Sequence, residues 1–183
     1  MQNRYMRINI SLFLLLFSVL ALAGAYVSQY GFGMEPCILC LYQRIPYFFI
    51  VLVSSISLFI KKSEKIRLLL VGICGLSLIA GGMIAFYHVG VEQGKFSMSD
   101  GCEVGVEKVP STLEEYTTQI MGKPNVACDE PQFVFLGLSM AAWNFLFSTS
   151  LGLITLIMVF RINKYLKYIE ESDAYSKKED TSG

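Results

Sequence analysis

The stretch that decides the fold is INISLFLLLFSVLALAGAYVSQYGFGM, residues 8–34, which carries no charged side chain. It exceeds the roughly 20 residues that a helix needs to cross the hydrocarbon core of a bilayer. Two further uncharged runs, 68–91 and 131–160, are also long enough. A fourth run, 45–60, is shorter and reaches that length only with residues 41–44. The pattern therefore predicts four membrane-spanning helices.

The composition agrees with a membrane protein. The chain is 54% hydrophobic and only 16% charged, which is too apolar for a typical soluble domain of 183 residues. Since a spanning helix satisfies its own backbone polar groups, we expect an all-α integral membrane protein, a four-transmembrane-helix bundle formed by residues 1–168. A polar tail, 169–183, is expected to be disordered. The expected spans are 10–29, 41–60, 68–90 and 138–160.

Lysine and arginine placement predicts the orientation of the bundle. Basic residues occur at Arg4 and Arg7, in the turn 61–67 and at the start of the tail from Arg161. The positive-inside rule then places both termini in the cytoplasm and leaves a long extracytoplasmic loop, 91–133, between the third and fourth helices.

The first apolar run has an alternative interpretation as a signal peptide. Two arginines precede it, and Ala21-Leu22-Ala23 resembles a cleavage site. The run is longer than the usual apolar region of about 7–15 residues, which favours a retained helix. Cleavage would leave the side of the membrane on which the later segments lie unchanged.

The positive-inside rule also leaves a second, short extracytoplasmic segment around residues 30–40. Four of the five cysteines fall in these two predicted outer segments, as the pairs Cys37/Cys40 and Cys102/Cys128. Both pairs therefore face the oxidising side, where disulfide chemistry is favoured. Cys37 and Cys40 stand where the second span begins. Residues three apart share one helix face, and a helix N-terminus stabilises a thiolate. This motif predicts redox use.

Other uses of these cysteines remain open. Cys37/Cys40 alone is also compatible with packing or with half of a metal site. A Cys₄ zinc site would need a second short pair, which Cys102 and Cys128 do not form, so no metal is expected. Haem attachment is excluded because Leu41, and not histidine, follows Cys40. The loop pair alone is equally compatible with a structural staple of about 3–4 kcal/mol or with a labile disulfide. Because Cys37/Cys40 is present in the same chain, thiol–disulfide exchange is favoured for the loop pair.

Three ionisable residues lie near the predicted outer ends of the spans. Arg44 follows Cys40 by one turn, and a charge inside a span is a functional hypothesis by default, although an interfacial anchor is the alternative. Beside a redox cysteine, its guanidinium can hold a thiolate or polarise a quinone carbonyl. His88, the single histidine, closes the third span close to Glu92 and suits a hydrogen-bond donor or proton shuttle. Cys74, within the third span, is expected only to pack.

These motifs together resemble the DsbB family of bacterial inner-membrane disulfide-generating proteins. The resemblance rests on Cys-x-x-Cys-x-x-x-Arg (37–44) after a first span, Tyr87-His88 at the end of the third, a cysteine pair in the long outer loop, and Phe135-Leu136-Gly137-Leu138 leading to Trp143. It covers roughly residues 8–160. The ordered combination is far more specific than any single motif.

The resemblance implies a quinone-dependent protein disulfide oxidoreductase. Its partners would be the bilayer, the respiratory quinone pool (ubiquinone or menaquinone) and a periplasmic thioredoxin-fold oxidant resembling DsbA, with no nucleic acid. Such an oxidant has a potential near about −120 mV, so its reoxidation requires an acceptor at least as oxidising, which a respiratory quinone provides. The implied residues are four catalytic cysteines and three residues near the quinone: Cys37, Cys40, Cys102 and Cys128; Arg44, His88 and Glu92.

The implied roles follow the order of electron flow. Cys102 would be attacked by the partner's thiolate, Cys128 would pass electrons to Cys37, and Cys40 would face the quinone with Arg44 beside the ring. Two alternatives remain. A vitamin-K-epoxide-reductase-like protein would carry its Cys-x-x-Cys later in the chain, and a stapled four-span scaffold or receptor such as a tetraspanin would have Cys-Cys-Gly in its loop.

Overall fold

The computed structural model describes the backbone of residues 2–60, 63–97, 127–131 and 133–180. Within these ranges it describes the side chains of residues 9 to 172. Within them, four helices are long and apolar enough to cross a membrane. The predicted mostly helical, four-span architecture is confirmed to this extent. In chain order the elements are α1 (Gln2–Tyr26), a π-helical turn (Val27–Gly31), α2 (Ile38–Phe59), α3 (Glu64–Glu92), β1 (Val134–Phe135), β2 (Leu138–Ser139) and α4 (Met140–Asp180).

The outer surface of the bundle is apolar, and polar side chains turn inward. Leu20, Leu69 and Phe160 are 70%, 63% and 71% exposed. By contrast, the buried hydroxyls of Ser11 and Ser57 lie 3.0 Å apart and join α1 to α2. This distribution suits a protein surrounded by lipid tails, which are as apolar as the exposed side chains. The chain is therefore a multi-pass membrane protein.

The bundle is organised around α3. This helix packs against both α2 and α4, while α1 packs mainly against α2. The largest apolar cluster includes Leu14 of α1, Ile50 of α2, and Val71 and Leu78 of α3. Cys74 belongs to it and is 1% exposed, in agreement with a packing role.

The boundaries of all four helices differ from the expected spans. The second helix begins at Ile38, and not at residue 41, because the Cys37 side chain caps it. Residues 138–139 pair in a β-hairpin with 134–135, and α4 begins only at Met140. The expected disorder of the tail is wrong for residues 169–180, which continue α4 as helix.

The hairpin has a local cause, and the helical tail makes a contact with α3. Leu136 and Gly137 have φ of 52° and 79°, the positive values that a two-residue turn between antiparallel strands requires. In the tail, Glu170 accepts a hydrogen bond from Lys65 Nζ at 3.0 Å, which links the end of the bundle to the start of α3.

Residues 98–126, which include Cys102, lie outside the described residues. The extracytoplasmic position of the loop 91–133 and the cytoplasmic position of the two termini stay predictions.

Glycines allow α3 and α4 to approach closely. A Cβ atom at Gly82 would lie 2.4 Å from Thr149 Oγ1, and one at Gly152 would lie 2.8 Å from Ile79 Cδ1 and 3.1 Å from the Gly75 carbonyl oxygen. Small residues at such contacts are typical of helix packing in membranes, where dispersion contacts hold helices together.

We expect Gly152→Ala to lower the thermal stability of the purified protein in detergent. The added methyl group meets a backbone carbonyl that cannot rotate away, and overpacking of this kind costs about 1–3 kcal/mol. Gly72→Ala is the matched control, because a Cβ there meets only Val159 Cγ1 at an ordinary 3.7 Å. Equal unfolding temperatures for the two variants would contradict the close contact.

Candidate functional site

The site is built around the two cysteines at the start of α2. Cys37 is the N-cap residue, with extended backbone (φ −69°, ψ 169°), and Cys40 lies in the first turn. The Cys40 backbone N–H donates to Cys37 Sγ at 3.3 Å. The two sulfurs are 3.0 Å apart and not bonded to each other. Because Cys37 caps the helix with its side chain, the pair is brought together without further rearrangement of the backbone.

The environment of Cys37 stabilises its thiolate. Cys37 precedes the membrane-spanning part of α2. The hydrogen bond from the Cys40 thiol lowers the pKa of Cys37, and His88 lowers it further, whereas burial acts in the opposite direction. The result is a Cys37 pKa well below that of an ordinary thiol, as expected for the reactive member of such a pair.

His88 connects α3 to the cysteine pair. Its Nε2 lies 3.5 Å from Cys37 Sγ and 3.8 Å from Glu92 Oε1, while its Nδ1 lies 2.8 Å from Gln43 Nε2. The residue is 4% exposed. Glu92 is in turn held by Ser139, whose hydroxyl donates to Glu92 Oε2 at 2.5 Å. The structure thus brings His88 and Glu92 to the cysteines.

A polar network that the sequence analysis missed continues from His88 into the bundle. Asn144 of α4 donates to Gln43 Oε1 and accepts from the hydroxyls of Tyr47 and Ser148, at 2.5 and 2.9 Å. The available signal was the presence of amide side chains inside predicted spans, where polar groups are uncommon and need partners.

Arg44 lies on the other side of Cys40, against α1. Its Nη1 donates to Gln29 Oε1 at 2.7 Å, and its guanidinium carbon lies 4.9 Å from the centre of the Tyr26 ring. Gln29 stands in the π-helical turn Val27–Gly31, and such turns are frequent at functional sites. The guanidinium is therefore held in place beside the cysteine pair.

Cys128 reaches the same site from the segment 127–131. It is 1% exposed, is disulfide-bonded, and belongs to one buried cluster with Cys37, Leu39 and Val91. Its backbone also hydrogen-bonds to His88. Cys102, the predicted other member of the loop pair, lies outside the described residues, so the pairing stays a prediction.

The cysteine pair Cys37/Cys40 lies on the wall of a cavity of about 530 Å³ between α1, α2 and α4. That volume lies in the range of small-molecule sites, which combine mostly apolar walls with a few converging polar groups. The polar and charged members of the wall include Ser28, Glu35, Cys37, Cys40, Gln43, Arg44, His88, Glu92, Glu130 and Asn144. The apolar members include Phe17, Leu20, Met34, Phe133, Trp143 and Phe147.

The same groups include a possible soft-metal ligand set. Among the described residues, Cys37 Sγ, Cys40 Sγ and one His88 ring nitrogen lie within 4.8 Å of one another. Thiolate and imidazole are ligands that zinc accepts. Thiol measurements on this protein therefore require a chelator.

The fold and the site together define a class: a multi-pass membrane protein with a thiol pair at the wall of a largely apolar cavity. Comparison with protein families assigns it more closely. The family model for disulfide bond formation protein DsbB matches residues 7–158. The chain belongs to this family, whose members are oxidoreductases for disulfide formation.

Individual relatives agree with the family assignment. Disulfide bond formation protein B of Haemophilus influenzae is 30% identical over 158 residues, which cover 85% of this chain and 88% of the relative. The protein of the same name from Pasteurella multocida is 33% identical over 135 residues, 72% and 74% of the two chains. An uncharacterized protein of Rickettsia prowazekii is 29% identical over 161 residues, 87% and 90% of the two chains.

We expect Cys40→Ala to move the alkylation of Cys37 in the reduced protein to higher pH. The thiolate is present above its pKa and is lost as pH falls through it. Removing the Cys40 thiol removes the largest cause of the lowered Cys37 pKa, so the Cys37 thiolate is lost at a higher pH. Mass spectrometry after brief treatment with a small alkylating reagent, between pH 4 and 9, measures the midpoint.

Cys74→Ala provides the matched control, because Cys74 is a free cysteine that contacts neither Cys37 nor His88 by hydrogen bonding. Its Cys37 midpoint should equal that of the unmodified chain. An unchanged midpoint in Cys40→Ala would contradict the stabilisation of the Cys37 thiolate by Cys40.

Proposed function

We propose that this protein is a membrane thiol:quinone oxidoreductase of the bacterial inner membrane, with its redox cysteines on the periplasmic side. It reoxidises a periplasmic thioredoxin-fold dithiol oxidant resembling DsbA and passes the electrons to a respiratory quinone, ubiquinone or menaquinone. The observation that carries this proposal is the position of Cys37 and Cys40, 3.0 Å apart, at the wall of the apolar cavity.

The cavity residues suit a quinone ring. Its apolar walls match a ring with a hydrocarbon tail, and the cavity lies in a bundle that spans the bilayer, where quinones dissolve. Arg44 lies on the cavity wall as a group that can donate hydrogen bonds to a carbonyl oxygen, and His88 lies on the same wall. A bound quinone supplies an acceptor for two electrons and two protons.

The cysteines carry the electrons in two exchanges. The partner's dithiol becomes a disulfide as the disulfide of Cys102 and Cys128 is reduced to two thiols, through a mixed disulfide with Cys102. A Cys128 thiolate then attacks Cys37 of an oxidised Cys37–Cys40 pair, which reforms the loop disulfide and leaves Cys37 and Cys40 as a dithiol. Oxidation of that dithiol releases two electrons and two protons into the cavity.

Contacts among the described residues support the second exchange. Cys128 and Cys37 share one buried cluster, so the loop segment and the start of α2 already meet. His88 touches both, through Cys37 Sγ and the Cys128 backbone, and can stabilise a thiolate at this junction. Burial excludes water and competing thiols from the exchange.

A stapled four-span scaffold or receptor is the alternative. It explains a loop disulfide, but it leaves a polarised thiol pair beside a cavity without a role. The family assignment also favours the oxidoreductase.

The proposal is tested by counting thiols in the fully reduced protein before and after anaerobic addition of a quinone, with a chelator present. We expect four thiols to disappear with reduction of two equivalents of quinone, leaving Cys74 free. Loss of only two thiols would restrict quinone chemistry to Cys37 and Cys40. An unchanged thiol count would refute the oxidoreductase function and favour the scaffold.

Cys40→Ser should abolish the quinone-dependent loss of thiols, because it removes the sulfur that is proposed to face the quinone. Cys74→Ser is the matched control, since it replaces a buried cysteine of the core cluster. It should retain the full loss of thiols from the remaining four cysteines.

We expect Arg44→Leu to raise the KM for quinone at least ten-fold while Cys37 and Cys40 remain able to form a disulfide with a chemical oxidant. The substitution removes the guanidinium at the cavity wall. Arg161→Leu makes the same change at an exposed site on α4 and should leave the KM unchanged. Equal KM values for the two variants would exclude Arg44 from quinone binding.

A further inference from the structure

We propose that Gln43 is a positioning residue that holds the neutral His88 ring with its proton on Nε2, directed at Cys37. The inference concerns a chain of hydrogen bonds that crosses the bundle from α4 through α2 to α3. Its members are Ser148, Tyr47, Asn144, Gln43, His88 and Cys37. It deepens the proposed function and rests on it only for the role of the Cys37 thiolate.

At the α3 end of this series of hydrogen bonds, the partners of His88 determine which ring nitrogen must carry a proton. Nε2 of His88 faces Cys37 Sγ at 3.5 Å and Glu92 Oε1 at 3.8 Å. A thiolate and a carboxylate can only accept hydrogen bonds. Nε2 therefore needs its proton, and in a neutral ring Nδ1 is then an acceptor that requires a donor.

The α4 end determines which way the two amides point. The hydroxyls of Tyr47 and Ser148 converge on Asn144 Oδ1, at 2.5 and 2.9 Å. They also lie 2.6 Å from each other, so one hydroxyl can donate to the other, and the proton that remains needs an acceptor, which a carbonyl oxygen provides and an amide NH₂ does not. With Oδ1 so placed, Asn144 presents its NH₂ group to Gln43 Oε1.

Gln43 satisfies both requirements, because it lies between Asn144 and His88. Its Oε1 accepts from Asn144, so its NH₂ group faces His88 Nδ1 at 2.8 Å, where a donor is needed. Gln43 is 6% exposed, and both ends of its amide are held by protein partners. Placing a proton on Nδ1 would require Gln43 to flip and would break its bond with Asn144. The network thus selects one tautomer.

The consequence is a fixed hydrogen-bond donor beside the exchanging sulfur. Groups that face the ring are Cys37 from the start of α2, Glu92 on α3 and the Cys128 backbone, whereas α4 contributes only the uncharged Asn144 behind Gln43. A donor held on Nε2 stabilises Cys37 as a leaving or attacking thiolate in each exchange.

The single histidine of the chain makes the tautomer directly measurable. Protein labelled with ¹⁵N in the imidazole ring, purified through a histidine-free tag and fully reduced, gives one pair of nitrogen resonances by NMR. We expect a protonated Nε2 and an unprotonated Nδ1 at neutral pH. A protonated Nδ1, in a neutral or in a charged ring, would overturn the inference, whether or not the protein reduces quinone.

Two substitutions test the part played by Gln43. Gln43→Glu replaces the donor by an acceptor beside a more basic imidazole, so Nδ1 should become protonated. Gln43→Leu removes the donor, and we expect the Nδ1-protonated share to rise roughly five-fold, the effect of losing one net hydrogen bond. Ser54→Ala is the control: it alters another buried polar residue of α2, which contacts Cys74, and should leave both resonances unchanged.

The outcomes separate this inference from the proposed function. Unchanged His88 resonances in both Gln43 variants would show that Glu92 and Cys37 alone set the tautomer, which would overturn the role of Gln43. Altered resonances in Gln43→Glu with unaltered ones in Ser54→Ala would support it. Neither result depends on the thiol count with quinone, so each proposal can fail without the other.

Discussion

The structure depends on one constraint: inside an apolar bundle, a buried polar side chain is costly unless it finds a partner within the protein. Gln43, His88 and Asn144 come from three different helices, and their hydrogen bonds are satisfied only when α2, α3 and α4 take one relative position. Dispersion contacts at the glycines of α3 and α4 bring the helices close, but such contacts alone leave the rotation of each helix weakly determined. The polar network specifies that rotation, and with it the direction of His88 towards Cys37.

The same constraint explains why the reactive pair stands at a helix end. Cys37 is the N-cap of α2, so the unsatisfied N–H of Cys40 and the Cys40 thiol both point at its sulfur. A few residues further into the helix, a thiolate would be surrounded by hydrocarbon and would be strongly disfavoured, as Cys74 illustrates by serving only as a packing residue. At the N-cap, the pair is in contact with the apolar cavity on one side and with the segment of Cys128 on the other. The proposed transfer of electrons from the loop cysteines to a quinone needs both contacts.

Much of the fold was predictable because hydrocarbon imposes a simple length and charge rule on the sequence. Uncharged runs such as 8–34 indicated four spans, and the described residues form four helices of that kind. The cysteine pair and its neighbours Arg44, His88 and Glu92 were also recognisable from residue type and spacing, and the structure places all of them on one cavity. The hairpin at 134–139 was missed, since its apolar residues continue the uncharged run without interruption. The continuation of α4 past residue 168 was missed as well, because polar composition was taken as a sign of disorder where charged residues can also support a helix.

The sequence by itself determined the class of protein, since hydropathy and the order of its motifs are properties of the chain alone and the DsbB resemblance follows from them. The tertiary structure alone decided which polar residues act on the cysteines. Gln43 and Asn144 are 101 residues apart and carry no local signal of a shared site. Their roles arise from helix rotation and from the direction of each amide, and both are fixed by hydrogen bonds between helices that no periodicity records. The partners of His88 across the bundle likewise determine which ring nitrogen carries the proton. An isolated imidazole does not prefer one nitrogen strongly enough to decide this.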